Sequence, residues 1–157
     1  MTKEINDCKV CFAASSGGHL EQLLVLSPLM KEYSSFILTE ETSYKSTFPV
    51  PVEYVNQVNR HERSFIQKII QNLKLSLQIY DRHRPDVVVC TGVLATVPMC
   101  IIAKMHGAKL IYIESFAKTD SPTLTGKILY RFADVFYVQW ESMLAIYPNA
   151  RYVGGIY

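Results

Sequence analysis

The densest chemistry in the chain is Ser15-Ser16-Gly17-Gly18-His19. Glycines let backbone N–H groups come close to a ligand, and a helix start favours negative charge, so a phosphate or diphosphate suits this turn. It is not the dinucleotide fingerprint, because Gly-x-Gly-x-x-Gly is absent, and it is not a P-loop, because no Gly-Lys-Ser/Thr follows. A tight strand-to-helix turn is the plainer use of the same residues. His19 supplies a general base or an anion contact if it points into a cleft; capping or packing is the alternative. Glu114-Ser115 forms a second candidate, because a carboxylate at a strand end accepts from sugar hydroxyls or orients a histidine. Capping a helix, or facing solvent, is its other use. Thr91-Gly92 offers another close backbone approach, or only a turn. A serine hydrolase on Ser15 or Ser16 with His19 fits poorly, because the Gly-x-Ser-x-Gly elbow is absent and a histidine on the same turn lacks triad geometry. No Asp-x-Asp is present to carry a divalent ion, so no metal is expected.

These residues need strands and helices to bring them together. Lys9–Ala14 is a short apolar run entering the Ser-Ser-Gly-Gly turn, which reads as a buried strand. A helix is expected over 20–32, then strands over 35–39 and 52–55 separated by a mobile 40–51 loop. Between Glu62 and Arg82 the residues Phe65, Ile66, Ile69, Ile70, Leu73, Leu77 and Tyr80 recur at three and four, placing them on one helical stripe. This helix either covers the sheet or lies on an anionic membrane surface, with Arg63, Lys68 and Lys74 off the stripe and Arg60, Arg82 and Arg84 at its ends. The pattern then repeats: strand 86–90, turn 91–92, helix 93–105, strand 109–113, helix 124–132, strand 134–139, a short helix near 141–146 and a last strand near 151–153. Alternating apolar strands and helices predict a doubly wound, Rossmann-like α/β domain over 1–157, its parallel sheet covered on both faces. Ligands on such sheets sit outside the carboxyl ends of the strands, where Ser15–Gly18, Thr91-Gly92 and Glu114-Ser115 converge.

Composition narrows the class. The chain has 157 residues, 16 Lys+Arg against 14 Asp+Glu and 49% hydrophobic residues, enough for a core without disulfides or metal. The near-balanced charge lacks the concentrated basic patch of a nucleic-acid binder. A mean hydropathy of +0.10 leaves room for a membrane or a large partner surface. Cys8, Cys11, Cys90 and Cys100 lack a second pair at metal-ligand distance and read as reduced core thiols in a cytoplasmic compartment. Met1–Asp7 is polar and acidic, unlike a signal peptide. The uncharged stretch 87–103 is broken by Thr91-Gly92 and Pro98 and reads as strand, turn and buried helix rather than a spanning segment.

Taken together, Ala14-Ser-Ser-Gly-Gly-His-Leu-Glu-Gln-Leu23, Tyr112-Ile-Glu-Ser-Phe-Ala117, Ser121–Tyr130 with Gly126-Lys127, Phe136-Tyr-Val-Gln-Trp140, Tyr147-Pro148 and Val153-Gly-Gly155 resemble one family. It is the anchor subunit of the split UDP-N-acetylglucosamine transferase that extends dolichol-linked oligosaccharide, with bacterial counterparts in capsule and exopolysaccharide clusters. The resemblance runs from Lys9 to the C-terminus. More distantly, the chain is similar to the N-terminal domain of the lipid II-forming peptidoglycan glycosyltransferase, which has a Gly-Gly-His turn, a Gly-containing turn matched by Gly92 and an acid matched by Glu114. Eukaryotic members carry an N-terminal membrane-spanning helix where this chain has Met1–Asp7, so the bacterial branch is the better match.

The resemblance implies the acceptor-side half of a GT-B glycosyltransferase, inactive alone and completed by a second chain carrying the nucleotide-sugar domain. The pair is expected to move a hexose from a UDP-sugar to a polyprenyl-diphosphate-linked saccharide at the inner face of the cytoplasmic membrane. On this reading no cofactor is needed, and the UDP-sugar is held mainly by the partner. His19 and Glu114 become the catalytic candidates. Ser15, Ser16, Gly17, Gly18, Thr91, Gly92 and Ser115 become ligand-binding candidates, and Glu114→Ala is expected to fold. Two alternatives stand beside it: a non-catalytic enhancer docking its partner through an apolar face that includes Tyr152–Tyr157, and a stand-alone Rossmann-like nucleotide or nucleotide-sugar binder.

Overall fold

A computed structural model of the chain describes residues 7–42 and 47–156. Seven parallel strands form one sheet: β1 (Lys9–Ala13), β2 (Ser34–Glu40), β3 (Val52–Val55), β4 (Val87–Cys90), β5 (Lys109–Ile113), β6 (Val135–Val138) and β7 (Arg151–Tyr152), in the order 3-2-1-4-5-6-7. All seven lie where alternation of apolar runs and turns places them. β1 is the switch point, with Val10 opposite Ser35 on one side and Val87 on the other. Connections therefore leave β1 toward both edges, and loops at the carboxyl ends diverge there to open a crevice.

Right-handed crossovers decide which face each helix covers. Those moving from β4 toward β7 put α4 (Val97–Met105) and α5 (Leu124–Leu129) on one face, where α3 (Phe65–His83) packs against α4. Between them and the sheet lies the larger core, including Ile79, Met99, Leu110, Tyr112, Leu129 and Phe136. The β1-to-β2 crossover carries α1 (Gly18–Leu24) and α2 (Ser27–Glu32) on the opposite face over a smaller core of Val10, Phe12, Leu20, Leu23, Met30 and Ile37. Burying one such side chain contributes about 1.5–3 kcal/mol. Helices therefore lie on both faces, as expected, but they cover the second only in part. No connection crosses β4, β5 and β6 there, and an apolar groove of about 460 Å³ remains, lined by residues including Val89, Ile111, Ile113, Tyr137, Val153 and Ile156.

Two helices differ from the periodicity. The helix expected over 20–32 is broken into α1 and α2, because Pro28 lacks an N–H and its ring would strike the Leu24 carbonyl in a continuous helix. α3 starts three residues later than expected and ends at Arg84, which takes the left-handed conformation (φ 47°) with its N–H on the Tyr80 carbonyl, just before Pro85. Much of its apolar stripe faces out, although Phe65, Ile69 and Tyr80 are half-buried and Tyr80 packs against the core. Asn72, Ser76 and Ile79 are the buried positions, while Ile66, Ile70, Leu73 and Leu77 are 42–69% exposed. Residues 87–103 form β4, a 3₁₀ turn (Leu94–Thr96) and most of α4. Among the described residues no helix is long and apolar enough to cross a membrane. Cys8, Cys11, Cys90 and Cys100 form no disulfide among the described residues, and burial pushes the Cys11 thiol up from its ordinary range. Residues 43–46 of the 40–51 loop, for which mobility is expected, lie outside the described residues.

Candidate functional site

The β1–α1 turn is shaped by Gly17, whose φ of +80° belongs to the region that favours glycine. Its carbonyl accepts from Leu20 and Glu21, closing the first turn of α1. That turn delivers His19 to the neighbouring strand end, where two bonds lock it. His19 Nδ1 donates to the Thr91 carbonyl at 2.9 Å, and Thr91 Oγ1 donates to the His19 carbonyl at 2.9 Å. A carbonyl only accepts, so the neutral ring carries its proton on Nδ1 and leaves the Nε2 lone pair free. Among the described residues Nε2 has no hydrogen-bond partner. A general base requires this tautomer.

Gly92 makes room for that ring. A Cβ there would lie 3.1 Å from His19 Cε1 and Nδ1, and its φ is +130°. Val93 follows at φ +91°, a strained conformation for a β-branched residue that costs about 1–3 kcal/mol and concentrates at functional sites. The backbone here is bent to hold the histidine. His19 lines a cleft of about 640 Å³ with Ser15, Ser16, Glu40, Gly92, Arg60, His61, Lys118 and Thr123. A second opening of about 1040 Å³ lies across the turn, lined by Ser16, Gly17, Glu21, Glu40, Tyr54 and Gln57.

Glu114 lies elsewhere, a correction to the expectation that it meets His19 in the cleft. It is fully buried, and five donors fill its carboxylate. Oε1 accepts from Thr123 Oγ1 (2.8 Å), Ser115 N (2.9 Å) and Tyr112 OH (3.3 Å); Oε2 accepts from Tyr147 OH (3.0 Å) and Thr123 N (3.2 Å). Thr123 Oγ1 in turn accepts from Gly126 N at 2.8 Å, capping α5. Burial, then the charge of Glu114, holds the Tyr112 and Tyr147 hydroxyls above their ordinary range, so both remain donors. Gly126 leaves the space this network needs, because a Cβ there would lie 2.1 Å from Glu114 Oε2. Glu114 thus ties β5 to the start of α5 and to Tyr147. Glu114→Ala would strand these donors, so that variant is expected to lose stability. Ser115 is also buried, its Oγ accepting from Ala117 N at 3.3 Å.

The structure therefore brings Ser15, Ser16, His19 and Gly92 to one cleft, leaves Gly17 facing the second opening, and uses Thr91 as the clamp behind His19. Gly18 lines neither opening. Glu40 is the residue that sequence reasoning missed. It ends β2, is 5% exposed and accepts from Val58 N at 3.1 Å. Burial raises its pKa, partly offset by the Val58 and Ser16 amides and by the proximity of His19 and Lys68. An acid at a strand's carboxyl end was the signal that singled out Glu114, and Glu40 carries the same signal. Gln22 and Gln139 were also missed; they bond to each other at 3.2 Å, and Gln139 reaches the Glu114 carbonyl at 2.9 Å. Gln139 Oε1 also accepts from Ile156 N, strapping the C-terminal segment to the end of β6. Among the described residues no group of three or more His, Cys, Asp or Glu side chains is placed to hold a metal ion.

Residues 37–156 match the family described as "Oligosaccharide biosynthesis protein Alg14 like". The human UDP-N-acetylglucosamine transferase subunit ALG14 is 27% identical over 94% of this chain and 82% of its own length. The Candida albicans subunit of the same name is 29% identical over 97% of this chain and 80% of its own. Among solved structures, MurG from Acinetobacter baumannii superposes with a TM-score of 0.66 at 17% identity, covering 83% of this chain and 41% of its own. A UDP-N-acetylglucosamine 2-epimerase from Rickettsia bellii gives 0.70 at 15% identity, covering 96% and 45%. This chain spans less than half the length of either, and at these identities the likeness concerns the fold.

Proposed function

The chain belongs to the Alg14-like oligosaccharide biosynthesis family, and from that premise we propose that it is the acceptor-side subunit of a two-chain GT-B glycosyltransferase, active only with a partner that carries the nucleotide-sugar domain. The observation that carries the reading is His19: a clamped imidazole with a free Nε2, in a cleft at the carboxyl ends of the central strands. In the proposed reaction an acceptor sugar hydroxyl attacks the anomeric carbon of a UDP-hexose. The new C–O bond forms, the bond to UDP breaks, UDP leaves with its electron pair, and Nε2 takes the hydroxyl proton. Ser15 and Ser16 offer hydroxyls to the acceptor, and Gly17, at φ +80°, shapes the turn that presents them. Thr91 and Gly92 act through His19. Glu114 and Ser115 act from beneath, by fixing the β5–α5 loop that forms the far wall.

The partner and membrane surfaces belong to the same proposal. The apolar groove on the bare sheet face, edged by Val153 and Ile156, suits a partner chain, in keeping with the relatives being named as subunits. The outward stripe of Ile66, Ile70, Leu73 and Leu77, flanked by Arg63 and Lys74, suits an anionic membrane surface. A polyprenyl-diphosphate carrier and a role in capsule or exopolysaccharide synthesis follow from the same reading. The test is UDP release from a UDP-hexose on membranes containing lipid-linked acceptor. Release is expected with both chains together and with neither alone; release by this chain alone, or by the partner alone at the full rate, would overturn the proposal.

A further inference from the structure

The cleft beside His19 has a chemical polarity that the glycine turn does not explain. Its inner end holds His19, Ser15, Ser16 and Glu40; its outer rim holds Arg60 and His61 from the β3–α3 loop and Lys118 from the β5–α5 loop. We propose that this rim is a diphosphate-binding subsite, which on the reading above takes the carrier diphosphate of the acceptor and leaves its sugar over His19.

Three observations carry it. First, the rim side chains are unspent. Lys68 pairs with Glu62, Arg82 and His83 with Glu53, and Lys104 and Lys109 with Asp134, whereas Arg60, His61 and Lys118 have no ion-pair partner among the described residues. Second, the loop carrying Arg60 and His61 is built in advance. Val58 N donates to buried Glu40, and Asn56 exchanges bonds of 2.9 and 2.8 Å with fully buried Asn72. Asn59 Oδ1 then accepts from His61 N at 3.0 Å, and Asn59 O from Glu62 N at 3.1 Å. A carboxylate and an amide are costly to bury unless hydrogen-bonded, and here the backbone of this loop satisfies them. Third, Glu40 lines the cleft beside Ser15 and Ser16, so a diphosphate seated on the turn would face a carboxylate, whereas the rim answers its charge. A carboxylate and a histidine on the floor instead suit sugar hydroxyls.

The test titrates the whole chain with inorganic pyrophosphate, comparing wild type, Arg60→Ala/Lys118→Ala and the charge-matched control Lys31→Ala/Arg131→Ala. Removing one charge-assisted hydrogen bond weakens binding about tenfold, so the rim variant is expected to bind about a hundredfold more weakly, the control within about twofold of wild type, and Arg60→Lys between them. Farnesyl diphosphate and UDP separate the two sources of a diphosphate: the rim variant should lose the first and keep whatever affinity the chain has for the second. The proposal is overturned if wild type does not bind pyrophosphate, if both double variants lose it equally, if only UDP binding falls, or if the loss is confined to phosphatidylglycerol vesicles. A rim that binds farnesyl diphosphate while the two-chain transfer assay fails would leave the subsite standing and remove the transferase reading.

Discussion

Glu40 and Glu114 occupy equivalent places, each at the carboxyl end of a parallel strand and each almost or wholly excluded from solvent, yet they do opposite work. Glu114 is closed in by Thr123, Tyr112, Tyr147 and Ser115, and nothing it holds lies outside the protein. Glu40 spends one oxygen on Val58 N and lines the cleft with His19. The difference comes from what the following loop offers. After β5 the chain returns with a helix whose cap threonine and a distant tyrosine reach back to the acid; after β2 it leaves toward the sheet edge, and backbone amides are the donors at hand. A buried carboxylate marks a reacting site only when its donors leave part of it open.

The contrast sets the order of the expected effects. Glu114→Ala leaves several buried donors without an acceptor, and Gly126→Ala drives a methyl into the same carboxylate. Each should cost about 3–5 kcal/mol, much of the stability of a domain this size, and appear as a large drop in the urea midpoint or a failure to fold. His19→Ala removes one hydrogen bond and a partly exposed ring. It should unfold close to wild type yet slow UDP release by the assembled pair about 10²–10⁴-fold, the usual worth of a positioned base. Glu40→Ala should cost about 1–2 kcal/mol and speed hydrogen exchange at the Val58 amide, while Glu40→Gln, which keeps an acceptor, should restore that protection. The smallest effect lies far from both acids. Lys104, then the Leu110 amide and Lys109, hold the Asp134 carboxyl down at about 2. Its folded pKa lies below its unfolded value, so its contribution is present above about pH 4 and fades as pH falls toward 2. For this exposed group that is about 1 kcal/mol, and Asp134→Asn should flatten the acid limb of the stability curve by that amount.

Much of the fold was legible because strands announce themselves locally. Seven apolar runs punctuated by turns became seven strands, and Gly92 declared a close approach that turned out to be the His19 ring. What was not legible depended on distant partners. The partners of Glu114 lie up to 33 residues along the chain, so a sealed acid and a reacting acid look alike in sequence. The stripe on α3 was plain, but its direction was not, because the fold buries the polar residues Asn72 and Ser76 beside Ile79 and leaves Ile66, Ile70, Leu73 and Leu77 out. Pro28 was visible throughout; its effect on the 20–32 helix was obscured by the apolar periodicity on either side.

The claim most exposed to test is that Glu114 builds the site and His19 reacts in it. The direct measurement is UDP release per folded molecule by the partner complex containing Glu114→Gln, with the folded fraction fixed from the same sample's unfolding curve. A rate within a few-fold of wild type, from a protein of clearly lowered stability, is the result expected. A hundredfold loss from a Glu114→Gln chain as stable as wild type would place that carboxylate at the substrate and contradict the division of labour between the two acids.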